Sequence, residues 1–151
     1  MTTPYPCPPA AIIFDMDGLL VDSERLWKLA ETAWLAKRGK TYSDELDDDV
    51  DLLLDELIGR IIDIIHTNTQ PQPCAIEMVE FVLRNDIPHA IASSSPLNVI
   101  HATLGTQAHW AEGFTVRCSA DEVENGKPAP DVYLLAAERL GVDPTQCIAL
   151  E

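Results

Sequence analysis

The chain has 151 residues, 46% of them hydrophobic, and a formal charge of -15 from 25 acidic and 10 basic side chains. That length suits one folded domain with a real core, which excludes a disordered or fibrous chain, and no apolar run approaches the roughly 20 residues that cross a bilayer. The acidic balance repels nucleic-acid backbones and anionic membranes, so an anionic ligand needs a local positive trap; Lys127, a bound metal and helix N-termini are the sources in view.

The opening MTTPYPCPP has neither a basic start nor an apolar run and reads as a Pro-rich lead-in, not a secretion signal. Residues 10–14 form a short apolar run that stops at Asp15-Met16-Asp17-Gly18, the pattern of a buried parallel strand opening into a polar loop. From 23 to about 68 no strand pattern occurs. Trp27, Ala30 and Trp34, then Leu53, Leu54, Leu57, Ile58, Ile61, Ile62 and Ile65, recur at helical spacing and predict an all-helical insertion. Its acidic segment, 44–56, carries eight carboxylates in thirteen residues. A calcium site there competes with the plainer reading of a solvated loop and an acidic helix start.

Beyond it, 76–84 predicts a helix and 89–92 a strand ending in Ser93-Ser94-Ser95-Pro96; 97–104 predicts another helix and 114–118 a strand. Residues 130–140 predict a helix with Pro130 in its first turn and Gly141 just past its end. The run 147–150 is a last strand, meeting Glu151. Strands alternating with helices predict a doubly wound α/β fold with a parallel sheet, whose ligands bind beyond the carboxyl ends of the strands. The expected organisation is an α/β core from 1–22 and 69–151 with the helical insertion at 23–68. Cys7, Cys74, Cys118 and Cys147 lack zinc-ligand spacing and are read as cytosolic thiols, pointing to a cytoplasmic protein; a monomer is expected.

The chemistry collects at the strand ends. In an extended backbone residues two apart point the same way, so Asp15 can attack an electrophile while Asp17 moves a proton above it; Gly18 lets the chain turn away. Acid-rich turns are also common without function. Ser93 offers a hydroxyl and nearby backbone N–H groups to a phosphate, although Ser before Pro is equally ordinary helix capping. Lys127 sits between residues that stiffen its loop, Gly126-Lys127-Pro128-Ala129-Pro130, and Glu151 follows an apolar strand as a candidate metal ligand.

An Asp pair, a serine, a lysine and an acid, in that order and each at a predicted strand end or in the loop after it, resemble the four motifs of the haloacid dehalogenase-like superfamily. Residues 12–24 look like the first motif, 91–96 the second, 126–131 the third and 147–151 the start of the fourth. The wording around them is similar to the sugar-phosphate phosphatases related to β-phosphoglucomutase, especially the 2-deoxyglucose-6-phosphate phosphatase type. The resemblance implies Asp15 as nucleophile and Mg²⁺ ligand, and Asp17 as general acid/base with its carbonyl on the metal. Gly18, Ser93, Ser94 and Lys127 would bind a small phosphorylated substrate, Glu151 would be a third metal ligand, and the insertion a cap that excludes water. A sugar phosphomutase and a non-catalytic remnant binding phosphate or a partner remain alternatives. Two departures stand out: the cap region is short for such enzymes, and the family's fourth motif continues with a further acid, a helix and another strand beyond the position of Glu151. A strand at 147–150 without that cover is expected to be a partly wet edge.

Overall fold

The computed structural model describes residues 8–41, 50–107 and 109–151, with side chains in the second helix described from Leu53 onward. The lead-in through Cys7 and the 42–49 part of the acidic segment, on which most of the calcium reading falls, lie outside the described residues.

Four strands, β1 Ala11–Phe14, β2 His89–Ser93, β3 Val116–Ser119 and β4 Cys147–Leu150, form one sheet in the order β3-β2-β1-β4, with every pairing parallel. Among the described residues, six α-helices accompany them: α1 Glu24–Lys37, α2 Val50–Asn68, α3 Ala75–Arg84, α4 Leu97–Leu104, α5 Trp110–Gly113 and α6 Asp131–Leu140. All four residues of β1 are buried, as a central strand covered on both faces requires. Successive side chains alternate between the faces. Ile12 and Phe14 join Val79 and Val82 of α3, Ile100 and Leu104 of α4, and Trp110 of α5. Ile13 faces the other way, with Ala90, Ala92 and Cys118, under Val132, Ala136 and Ala137 of α6. The sheet is therefore doubly wound. From β1 the chain steps outward to β2 and β3, then returns to place β4 on β1's other side, so the strand order reverses at β1 and a crevice opens where its carboxyl end meets that of β4.

The described part of 23–68 consists of α1, the turn that ends it, and α2. Leu26 and Ala30 of α1, Ile61 and Ile65 of α2 and Val99 of α4 form one buried cluster, and Trp34, Leu35 and Leu53 form another. Leu26, not Trp27, takes the fully buried place in α1, and Leu54 is half exposed. The cause is geometric: Leu53, Leu57, Ile61 and Ile65 repeat every four residues and make the inner row, whereas Leu54 is turned outward by about 100° at 3.6 residues per turn. Arg38, which caps α1, pairs with Glu56 of α2 and lies 4.2 Å from the Trp34 ring centroid.

Element boundaries depart from expectation by one or two residues, most at β3. The sequence pattern begins that strand at 114, but Phe114 instead closes the unforeseen α5, donating its N–H to the Trp110 carbonyl at 3.0 Å. At the other end of the fold, Gly141 takes φ +70° to finish α6, a left-handed cap that glycine adopts without steric cost. β4 lies at one edge of the sheet, opposite β3, and each of its residues keeps some exposure, as expected of an edge. Phe114 itself is fully buried, edge-on to Phe14 at 5.7 Å and to His89 at 5.1 Å. Phe114→Ala is expected to lower unfolding stability by about 3–5 kcal/mol in a urea titration, as for other buried aromatic truncations; a loss below about 1 kcal/mol would show that the site collapses around the deletion.

Candidate active site

Asp15 is the first residue past β1, and its backbone N–H donates to the Leu150 carbonyl at 2.8 Å, carrying the β1–β4 ladder one residue beyond Phe14. That bond sets Asp15 beside Glu151, which follows β4. Lys127, from the loop between β3 and α6, enters the crevice: its Nζ lies 2.7 Å from Asp15 Oδ1 and 3.1 Å from Glu151 Oε1. The two ends of the trio differ in exposure, with side chains 17% and 16% exposed for Asp15 and Lys127 but 63% for Glu151. Tyr133 of α6 closes the group. Its hydroxyl donates to Glu151 Oε1 at 2.5 Å, and its ring centroid lies 4.8 Å from Lys127 Nζ.

Met16 points back into the core, so Asp15 and Asp17 both face the crevice, as alternation predicts. Their carboxylates, however, find different partners. Asp17 turns toward β2, where Ser93 and Ser95 donate to its Oδ2 at 2.9 and 2.8 Å and Ser23 donates to Oδ1 at 2.7 Å. Ser93 Oγ also accepts the Ser95 N–H at 3.0 Å. All three serines are buried. Gly18 makes the turn at φ +85°, its N–H bonded to the Val21 carbonyl at 2.9 Å. Ser94 lies exposed between Ser93 and Ser95.

Sequence reasoning singled out neither Ser23, Ser95 nor Tyr133. Ser95 was visible only as one of three adjacent serines. Ser23 looks like a helix cap, yet its hydroxyl bonds Asp17. Tyr133 lies six residues after Lys127, and only the start of α6 brings its ring back over the loop.

Donor chemistry bears on the metal. Among the described residues no three His, Cys, Asp or Glu side chains converge as a ready cluster, because the Asp17 carboxylate is engaged with the serines. What this crevice offers is oxygen, from the Asp15 and Glu151 carboxylates. A donor set of one or two carboxylates completed by a carbonyl, water and substrate oxygens suits Mg²⁺. The residues present therefore fit that ion.

A doubly wound sheet carrying an acid pair, a serine and a lysine at its carboxyl edge defines an α/β enzyme of the hydrolase kind. The chain belongs to the haloacid dehalogenase-like hydrolase family, whose model matches residues 28–151. It is 34% identical to hexitol phosphatase B of Escherichia coli strain K12 over 165 aligned residues, covering 93% of this chain and 74% of that protein. Fructose-1-phosphate phosphatase of the same organism is 28% identical, covering 94% of this chain and 86% of its own length. Among solved structures, CbbY from Rhodobacter sphaeroides in complex with phosphate superposes with a TM-score of 0.84 at 23% identity, covering 93% of this chain and 76% of that one. The β-phosphoglucomutase of Clostridium difficile gives a TM-score of 0.73 at 20% identity, covering 95% and 76%. These two likenesses concern the fold.

Burial pushes the Asp15 carboxyl above its ordinary value of 3.8; Lys127 and the Met16 N–H pull it back without cancelling the rise. For Lys127, burial acts downward, but Asp15, Tyr133 and Glu151 more than offset it and hold the ammonium charged. Burial first, and then the bond to Glu151, push the Tyr133 phenol up to about 12. A carboxyl raised by folding contributes stability that is full below its unfolded value and is lost as pH climbs through the folded one. Asp15→Asn escapes that loss. Its stability relative to the parent, from chemical unfolding, is expected to be more favourable at pH 7 than at about pH 3.5; a difference independent of pH would show that burial of the Asp15 charge carries no cost.

Proposed function

We propose that this chain is a Mg²⁺-dependent phosphatase that hydrolyses a small phosphorylated metabolite, of the sugar-phosphate class, through an aspartyl-phosphate on Asp15. The observation that carries the reading is the pairing of a half-buried Asp15 with Lys127 at 2.7 Å, next to an Asp17 bonded to Ser93. That is a carboxylate nucleophile, a cation for phosphoryl oxygens and a second carboxylate for proton transfer in one crevice. The family membership and the phosphatase names of the relatives support it.

In this reading Asp15 Oδ attacks phosphorus and the leaving alkoxide takes a proton from Asp17. Water then attacks the acyl phosphate, with Asp17 as base, and regenerates Asp15; a covalent intermediate divides one difficult step into two. Lys127 and the Ser93 hydroxyl, with N–H groups near Ser94 at the start of α4, would hold the phosphoryl oxygens, and the Gly18 turn would leave the approach open. Bound at Asp15, the Asp17 carbonyl and Glu151, Mg²⁺ would supply neutralisation of the charge shared between nucleophile and phosphate. Residues 23–68 would serve as the cap. The alignment with hexitol phosphatase B runs over 165 positions, more than the 151 residues of the chain, so this chain is shorter than that enzyme within the aligned span. The dispersed cysteines, free among the described residues, fit a cytoplasmic protein, which we take to act as a monomer.

Release of phosphate from hexitol and aryl phosphates tests the reading. Hydrolysis should need Mg²⁺ and stop in excess EDTA, and full turnover under chelation would remove the metal-assisted mechanism. Lys127→Ala should lower kcat/KM by about 10²–10³-fold, the size of losing one preorganised electrostatic donor, with a native far-UV spectrum. Unchanged kcat/KM would return Lys127 to an ordinary surface charge.

A further inference from the structure

The serines around Asp17 do not end at Ser95. Ser119, the last residue of β3, is fully buried, and its hydroxyl donates to the Ser95 carbonyl at 2.8 Å. The same hydroxyl accepts the Asp121 N–H at 3.1 Å, while the Ser119 N–H donates to Glu122 Oε2 at 2.9 Å. This is a capping box around the short turn Ala120–Glu122 that starts the loop leading to Lys127. Glu122 is held in turn by Arg139 of α6, whose Nη2 lies 2.7 Å from Glu122 Oε1. Arg139 Nη1 also donates to the Arg117 carbonyl at 2.9 Å.

One buried hydroxyl thus joins two parts of the crevice. On one side it fixes Ser95, whose own hydroxyl donates to Asp17 and whose N–H donates to Ser93. On the other it fixes the turn from which the Lys127 loop departs. We propose that Ser119 is a positioning residue for the reaction: through Ser95 it sets the orientation of Asp17, and through its cap it sets the departure of the Lys127 loop. The assignment rests on the reading of Asp17 as the proton carrier. Removing the hydroxyl leaves the Ser95 carbonyl and Asp121 N–H without this partner, so the Ser95 segment loses its tie to β3. Asp17 then keeps its carboxyl group but loses its aim, and proton transfer requires that aim.

Leaving groups tell this role apart from a merely structural one. An alkoxide needs a proton as it departs, whereas p-nitrophenolate leaves without one. Ser119→Ala, measured against a hexitol phosphate and p-nitrophenyl phosphate, should lower kcat/KM for the alkyl ester by about 10-fold more than release of nitrophenol in the burst phase. KM should stay within about 2-fold. Ser119→Thr keeps the hydroxyl and should restore the alkyl-to-aryl ratio. Amide exchange at Ser95 and Asp121 should quicken in Ser119→Ala and recover in Ser119→Thr.

An active parent whose alkyl-to-aryl ratio and Ser95 exchange are unchanged by Ser119→Ala overturns the assignment alone. A parent that turns over neither ester overturns the phosphatase reading and this assignment with it. Should Ser119→Ala fail to fold, Ser95→Ala removes the hydroxyl bonded to Asp17 directly and must show the same shift in ratio; an unshifted ratio overturns the assignment.

Discussion

The hydrogen bond from the Asp15 N–H to the Leu150 carbonyl extends the β1–β4 ladder one residue past the strand, and the geometry of the crevice follows from it. A central strand flanked on both sides has no freedom at its end. Fixing Asp15 there places it beside Glu151, and two neighbouring carboxylates draw in an ammonium. The Lys127 loop answers, its ammonium lying between Asp15 and Glu151. Asp17 lies two residues on, and because Met16 must be buried, Asp17 has to face the same crevice. With Lys127 taken by Asp15 and Glu151, it is met by the hydroxyls that end β2. The register of one parallel pair thus distributes the polar groups into a charged half toward β4 and a neutral, hydroxyl-rich half toward β2.

That division suits a protein whose formal charge is -15. A phosphate approaching such a surface meets repulsion everywhere except where a cation or a preorganised donor is exposed. Serine hydroxyls are donors that add nothing to the net charge, and here they are held by bonds to Asp17 and to one another rather than by solvent. Arg139, by contrast, spends its charge on structure, tying α6 to Glu122 and to the end of β3.

The architecture was legible because its signals were local and strong. Apolar runs stopping at polar residues gave all four strands, and for β4 even the bounds; a glycine just past 140 gave the end of α6. Asp15 and Glu151 could be named from their placement at strand ends and Lys127 from its proline-stiffened loop and the family resemblance, and the fold does bring the three together. What could not be read depends on packing. Phe114 looks like a strand residue by composition, and only its burial between Phe14 and His89 makes it the end of α5. Trp27 and Leu26 are neighbours of equal appeal to a helix face, and the fit between α1 and α2 decides for Leu26. Ser95 carries no distinguishing pattern, and the Ser-Ala-Asp-Glu spacing after Ser119 signals only its cap; the bond between the two serines is set by which strand ends lie next to each other in space.

The cluster that joins α1 and α2 to α4 has a mechanical consequence. Leu26, Ala30, Ile61 and Ile65 share one dry interior with Val99, a residue of the helix that begins immediately after the serine run. Swinging the helical pair away on a hinge would wet part of that interior, at about 1.5–3 kcal/mol for each large side chain fully uncovered. Movement of the helical pair is accordingly coupled to α4, because a displacement of either wets the same side chains.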